Sequence, residues 1–137
     1  MPSASHHVAC ITDDPDAVHT FLTEVVGLPV HLTFSISGED LTRTAGWPES
    51  DGAVVTMYGR PPAGIVEVVA IPETLRGRVE PRLWLVSFAT ADVVSFVERA
   101  RGIGLHPSDP APTRGDVDIT TSIVDVGGIT WEFVSFD

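Results

Sequence analysis

The 137-residue chain contains no lysine and a single cysteine, and its eight basic residues are all arginines. Cys10 has no second cysteine to pair with, so an internal disulfide and a cysteine-rich zinc site are both excluded. The eight arginines stand against 19 acidic residues, which leaves a formal net charge of −11. A chain this acidic is a poor binder of nucleic acids and anionic membranes. Its charge favours either solubility or the attraction of a cationic ligand.

The sequence also lacks an apolar run long enough to span a bilayer, and its N-terminus lacks the basic-then-apolar pattern of a signal peptide. Hydrophobic residues nevertheless make up 43% of the chain and charged residues 20%, which is typical of a folded protein. The length suits one compact domain. We therefore expect a single cytoplasmic domain over residues 1–137.

The N-terminal segment predicts a strand followed by a helix. On the strand 7–11, His7, Ala9 and Ile11 fall on one face, opposite Val8 and Cys10. The helix has a good N-cap and a proline at its first position, and its apolar residues recur at helical spacing. The residues that carry this helix signal are Asp14, Pro15, Val18, Phe21, Leu22, Val25 and the terminating Gly27.

The rest of the chain repeats these signals. Strands are predicted at 30–36, 53–58, 65–70, 83–89, 119–126 and 129–136, and a second helix follows Asp92. Residues 37–52 and 107–116 predict loops, because they are polar and interrupted by glycine and proline. Leu85 and Asp92 lie 78 positions after His7 and Asp14, and Glu132 lies 65 positions after Glu67. The chain is therefore predicted to contain a strand–helix–three-strand unit twice, as module one (5–70), a linker (71–82) and module two (83–137).

Four motifs carry a family resemblance: His7-Val8-Ala9 followed by Asp13-Asp14, Phe21-Leu22 followed by Gly27-Leu28-Pro29-Val30, Val66-Glu67 followed by Pro72, and Trp131-Glu132-Phe133-Val134. With these motifs the sequence resembles the vicinal oxygen chelate superfamily, which includes lactoylglutathione lyase, methylmalonyl-CoA epimerase, extradiol dioxygenases and bleomycin-resistance proteins. The resemblance implies an α+β fold. Two βαβββ modules would form a cupped mixed sheet with helices outside and a ligand cavity inside.

The resemblance also implies four metal-ligand positions, which fall on His7, Glu67, Leu85 and Glu132. Leucine has no donor atom, so the site has three candidate ligands, His7, Glu67 and Glu132. One imidazole and two carboxylates suit Zn²⁺, Ni²⁺, Co²⁺, Mn²⁺ or Fe²⁺. Without a metal, the two carboxylates would share a proton and one pKa would rise, which still leaves a usable general acid or base.

Further pocket residues follow from strand alternation and the repeat. If Val30, Leu32, Phe34 and Ile36 form the core face of their strand, the alternate residues His31, Thr33 and Ser35 face the cavity. His31 would then be a ligand, a base or a substrate contact; a solvent-facing polar stripe is the alternative. Trp47 is expected either to cover the pocket or to pack on the surface. Leu85 and Ser87 are expected in the cavity, and His106 at the matching place of the second module.

Two functions remain open from the sequence. The first is a divalent-metal-assisted lyase, isomerase or epimerase acting on an oxygen-rich metabolite, with Glu67, Glu132 or His31 moving the proton. The second is a metal-free protein that binds a small molecule or sequesters a drug. Dioxygenase chemistry is disfavoured, because it needs two imidazoles on iron and Leu85 removes one of them. We expect a homodimer with a small-molecule ligand.

Overall fold

The computed structural model describes residues 4–61, 63–112, 119–126 and 129–136. They form eight strands: β1 (Ala4–Thr12), β2 (Val30–Ile36), β3 (Ala53–Arg60), β4 (Ala63–Ala70), β5 (Arg82–Ala89), β6 (Ala111–Pro112), β7 (Ile119–Val126) and β8 (Ile129–Phe136). The helices are α1 (Pro15–Thr20), which continues as a π-helical segment over Phe21–Val26, α2 (Gly38–Ala45) and α3 (Val93–Gly102). In this described part of the chain, no helix has the length and apolar character needed to cross a membrane.

All eight strands belong to one mixed sheet with the order β2-β3-β4-β1-β5-β8-β7-β6. β1 runs parallel to β4, and β5 runs parallel to β8, whereas the other neighbours are antiparallel. The antiparallel pair β1–β5 joins the two halves within one chain. The sheet curls into a half-barrel, and the α+β fold implied by the resemblance is confirmed.

The strand register has the symmetry that the repeat suggests. The pairs that relate the two halves are His7–Ser87 and Ala9–Leu85 across the junction, and Ala9–Glu67 and Ser87–Glu132 within the halves. His7 and Leu85 therefore occupy equivalent places, and so do Glu67 and Glu132. Because β1 and β5 lie at the centre of the sheet, this register brings all four positions to the middle of the molecule.

Helix α1 packs outside the first half of the sheet. The Asp14 side chain caps it by accepting a hydrogen bond from the Ala17 N–H at 3.1 Å. Leu22 from the π-helical segment packs with Tyr58 and Val68 of the sheet. The His19 ring nitrogen Nδ1 also lies 2.8 Å from the Tyr58 hydroxyl. These contacts place α1 over β3 and β4 rather than over the edge strand β2.

The segment 37–52, predicted as a loop, contains helix α2. The Ser37 hydroxyl accepts a hydrogen bond from the Asp40 N–H, and Gly46 ends the helix with a left-handed backbone, φ 69°. Leu41 is fully buried in the main hydrophobic cluster, so tertiary packing stabilises a helix too short to be stable alone.

The two other irregular segments also contain short regular elements. The predicted linker 71–82 includes one 3-10 turn at Glu73–Leu75, and Leu75 is buried in the main cluster. The predicted loop 107–116 includes β6, which pairs with β7; its residues 113–116 lie outside the described part of the chain. Both segments are therefore attached to the body of the domain by local packing or pairing.

Candidate functional site

A cavity of about 80 Å³ opens in the curled sheet. Its walls are mainly apolar and come from both halves of the chain, with Leu32, Phe34, Met57, Leu85, Val134 and Phe136 among them. Three titratable side chains of the sheet line the same cavity, His7 from β1, Glu67 from β4 and Glu132 from β8. A small polar centre inside an apolar cavity is the usual arrangement of a small-molecule site.

The three titratable side chains meet at ion-pair distances. His7 Nε2 lies 2.6 Å from Glu67 Oε2 and 3.7 Å from Glu132 Oε1. The side chains of His7, Glu67 and Glu132 are 5%, 9% and 14% exposed, so all three groups are largely removed from water. The Ser87 hydroxyl, which is fully buried, donates a hydrogen bond to Glu132 Oε1 at 2.7 Å. Two carboxylates therefore share one imidazole, and a serine fixes one of them.

Burial and charge shift the proton affinities of this cluster. Burial lowers the pKa of His7, but the contact with Glu67 and the charges of Glu67 and Glu132 outweigh it, so the pKa lies above its usual value. Burial raises the pKa of Glu132 to about 7, and the negative charge of Glu67 adds to this rise. His7, the Ser87 hydroxyl and Arg43 oppose the rise without cancelling it. The two carboxylates therefore favour a proton on the His7 imidazole, and the Glu132 carboxyl group titrates near neutral pH.

Helix α2 adds a second charged pair to the cavity. Arg43 Nη2 donates to Asp40 Oδ1 at 2.9 Å, and both residues line the cavity together with Thr44. Neither residue is among those predicted for the site, because the polar segment 37–52 was expected to be a loop. The signal was present: Ser37 and Asp40 have the spacing of an N-terminal capping box, and Gly46 is a typical helix stop.

The other predicted pocket residues divide between cavity and surface. Leu85 lines the cavity, and Ser87 lies behind Glu132 as its hydrogen-bond donor. Ser35 borders the cavity while it remains exposed to solvent. His106 is exposed and does not line the cavity, so its expected place in the pocket is wrong.

For His31 and Thr33 the structure matches the alternative, a solvent-facing polar stripe, rather than the cavity-facing expectation. His31 and Thr33 are exposed and do not line the cavity, whereas Leu32 and Phe34 do. The cavity-facing expectation took the bulky apolar residues of β2 as the core face and its polar residues as the cavity face. Helix α1 instead lies over β3 and β4, and the apolar Phe34 and Ile36 of β2 face the cavity and pack against the main hydrophobic cluster. His31 is therefore not one of the acid–base groups of the cavity.

Trp47 neither covers the pocket nor packs on the surface. It is 4% exposed, belongs to the main hydrophobic cluster and does not line the cavity. Its position directly after the end of α2 turns the ring inward beside Leu41 in that cluster. Trp47 therefore anchors helix α2 to the domain.

The donor chemistry of the cluster suits a divalent metal, but its arrangement does not. Two ligands that share one ion at ~2.1 Å lie about 3 Å or more apart, whereas His7 Nε2 and Glu67 Oε2 are in direct contact. Across the described ranges, no group of three or more His, Cys, Asp or Glu side chains is arranged to hold an ion. His7, Glu67 and Glu132 therefore form a cluster that shares protons.

A mainly apolar cavity with acid–base groups, on a curled sheet of two βαβββ halves, defines a class of proteins that handle small molecules. The family model described as the glyoxalase/bleomycin resistance protein/dioxygenase superfamily matches residues 4–133. The chain therefore belongs to this superfamily, which is the vicinal oxygen chelate superfamily of the sequence resemblance. Many members use divalent metals.

Solved structures share the fold at low sequence identity. A hypothetical protein of Bacillus halodurans C-125 is 11% identical with a TM-score of 0.73, and the match covers 100% of this chain and 96% of that one. Methylmalonyl-CoA epimerase from Mycobacterium tuberculosis is 16% identical with a TM-score of 0.72, over 100% and 93% of the two chains. A Streptomyces coelicolor methylmalonyl-CoA epimerase variant in complex with 2-nitronate-propionyl-CoA is 16% identical with a TM-score of 0.70, over 99% of each chain. No curated protein matches the sequence.

Proposed function

We propose that the cavity catalyses proton transfer at a carbon next to a carbonyl group, as in an isomerase, epimerase or lyase acting on a small oxygen-rich metabolite. The observation that carries this proposal is the contact of His7 with both Glu67 and Glu132 inside an apolar cavity. Methylmalonyl-CoA epimerase shares the fold, and one of its structures is a complex with methylmalonyl-CoA, which makes this compound a first one to test.

The side chains divide the work of such a reaction. Glu132, whose pKa is near 7, takes a proton from the carbon and leaves an enolate. The protonated His7, held against Glu67, faces the negative charge that develops on the enolate oxygen. Return of the proton from Glu132 to a neighbouring carbon gives isomerisation, whereas epimerisation also requires a second proton donor on the opposite face of the carbon. The apolar walls exclude water and strengthen each of these charge interactions.

Exchange of substrate hydrogen with solvent deuterium, followed by NMR, tests this proposal directly. Methylmalonyl-CoA and a panel of short-chain 2-oxo acids serve as substrates. With the compound that exchanges, Glu132→Gln and Glu67→Gln should each lower the exchange rate about 10²–10⁴-fold, because each removes a carboxylate without changing its shape. Glu24→Gln, on the exposed surface of the π-helical segment, is the matched control and should exchange normally. Exchange that survives both cavity substitutions would contradict the proposal.

The apolar lining also favours a second candidate, a metal-free protein that binds a small molecule without chemistry. In that case a ligand would saturate the cavity, and its hydrogens would not exchange with solvent. Glu132→Gln would then leave binding nearly intact, because the apolar walls would supply most of the affinity. Saturable binding together with measurable exchange would exclude this second candidate.

A further inference from the structure

Arg43 is an unusual residue in this cavity. The chain carries a net charge of −11 and has no lysine. Among the described residues, Arg43 is the only Arg or Lys that lines the cavity, where it accompanies the acidic groups of Asp40, Glu67 and Glu132. Its positive charge lowers the pKa of Glu132 and so opposes the effect of burial. An arginine in this position could bind a negatively charged group of a ligand.

The guanidinium is held in position by a buried acid. Asp40 is 5% exposed, and its two carboxylate oxygens have different partners. Oδ1 accepts from Arg43 Nη2 at 2.9 Å, and Oδ2 accepts from the Ser37 hydroxyl at 3.1 Å. The Arg43 side chain is 34% exposed, so it lies where the cavity meets solvent. Because a guanidinium has five N–H donors in a planar fork, an arginine positioned by one carboxylate keeps donors for a second one.

The surroundings of Arg43 define the shape of a suitable ligand. Phe34, Leu85 and Val134 line the same cavity and offer apolar contact to the body of a small molecule. The volume of about 80 Å³ limits the enclosed part to a few heavy atoms. A ligand that fits all three features has a short apolar or carbonyl-bearing body inside the cavity and an anionic end at the mouth.

We propose that Arg43 binds the carboxylate of the ligand, so that the substrate class of this cavity is a short-chain organic acid rather than a neutral carbonyl compound. This inference deepens the proposed function and rests on it only for the statement that the bound acid reacts. Asp40 is a positioning residue that holds the guanidinium fork toward the carboxylate. The acid-binding role can be measured separately from any reaction.

Titration calorimetry with matched pairs of ligands tests the role of Arg43. Each short-chain 2-oxo acid in a panel is compared with its own methyl ester, which has the same body without the charge. Wild-type protein should bind at least one acid about 10–100-fold more tightly than its ester, the range expected for a charge-assisted bidentate contact. Arg43→Gln should remove this preference and leave ester binding unchanged. Arg43→Lys keeps the charge but loses the fork, so it should keep only part of the preference.

Arg101→Gln is the matched control. Arg101 also forms an ion pair, with Asp109 at 2.6 Å, but it lies on α3 and does not line the cavity. This variant should keep the full preference for the acid. Equal binding of acid and ester by the wild type, an unchanged preference in folded Arg43→Gln, or no saturable binding of any acid would each overturn the inference.

The result is distinguishable from failure of the proposed function. Arg43-dependent binding of an acid whose hydrogens do not exchange with solvent would support the carboxylate site and remove the proposed catalysis. Exchange of acid and ester at the same rate in wild type and Arg43→Gln would support the catalysis and remove the carboxylate site.

Discussion

Glu132 lies in an environment unlike that of an ordinary carboxylate. It lies in a cavity with His7 on one side and the Ser87 hydroxyl on one of its oxygens. Burial and the neighbouring Glu67 raise its pKa to about 7, whereas a glutamate in water is ionised well below that pH. A general base that titrates near the working pH combines correct protonation with a useful driving force.

The shifted pKa values of this cluster predict how stability depends on pH. Glu132 binds its proton more tightly when folded than when unfolded, so its contribution to stability is present below its usual pKa of 4.5 and is lost as the pH rises to about 7. The raised pKa of His7 acts in the same direction, because its contribution is lost as the pH rises through that value. Between about pH 4.5 and pH 7, we expect the free energy of unfolding to fall by about 1–3 kcal/mol.

Urea denaturation at a series of pH values measures this fall. Glu132→Gln should flatten the decline, because the amide does not titrate, and His7 should account for the part that remains. Glu24→Gln should follow the wild type. A wild-type stability that rises over this pH range would show that other groups of this acidic chain dominate.

Leu85 is the residue at which this chain departs from the metal-ligand pattern that its family resemblance implies. It lines the cavity in the place that corresponds to His7 in the other half. Leu85→His should therefore add a fourth donor near Glu67 and Glu132 and tighten the binding of Zn²⁺, Ni²⁺ or Co²⁺ at least about 10-fold. A metal-dependent rise in melting temperature provides a second measurement.

Leu83→His is the control for added metal affinity. Leu83 is on the same strand but is 75% exposed, so a histidine there should bind metal no better than any surface histidine. Equal metal affinity of the two histidine variants would mean that the cavity is not a metal site even when a fourth donor is present.

Helix α2 is the element that completes the cavity, because it supplies Arg43 and the acid that positions it. Its first residue, Gly38, fits tightly against the chain: a Cβ there would overlap the backbone oxygen of Ser50. This contact holds the start of the helix beside the segment that leads into β3. The position of Arg43 therefore depends on Gly38, which does not itself line the cavity.

Gly38→Ala should displace the start of α2 and lower the free energy of unfolding by about 1–3 kcal/mol, as overpacking typically does. Gly102→Ala provides a matched control in α3, where an added Cβ meets nothing within 4 Å. That variant should be neutral or up to about 1 kcal/mol more stable, because alanine is the better helix former. Urea denaturation of both variants measures the difference. Equal stability would show that the start of α2 can shift without a loss of folding free energy.

On the scale of the whole molecule, the two halves form one cavity within one chain. β1 and β5 pair directly, so His7, Glu67 and Glu132 meet without a second copy. The expected homodimer, if it forms, would join cavities that are already complete. Ligand bound per chain should therefore stay constant when the protein is diluted through the range in which any dimer dissociates.

Equilibrium sedimentation and titration calorimetry over the same dilution series check this prediction. The first reports the oligomeric state, and the second reports the number of ligands bound per chain. A loss of binding in step with dissociation would mean that the partner chain contributes to the cavity.

Local sequence patterns predicted the strands that carry the acid–base cluster and their order along the chain. Alternation along β1 correctly separated His7, Ala9 and Ile11 from Val8 and Cys10: the first three are buried, and the other two are not. The repeat between the halves anticipated the equivalence of Glu67 and Glu132, which the strand register shows. Such predictions succeed because alternation and helical spacing are local properties of the chain.

Which side of an element faces the cavity depends on how the elements pack against one another. The same alternation on β2 was read correctly, yet His31 and Thr33 lie outside because helix α1 covers β3 and β4 instead of this edge strand. Helix α2 forms because Leu41 and Trp47 pack into a hydrophobic cluster built mostly from distant strands. The raised pKa of Glu132 likewise requires three strands to bring His7 and Glu67 beside it. The orientation of β2, the formation of α2 and the pKa of Glu132 all depend on burial and on contacts between residues far apart in the chain. Local sequence patterns do not report such contacts.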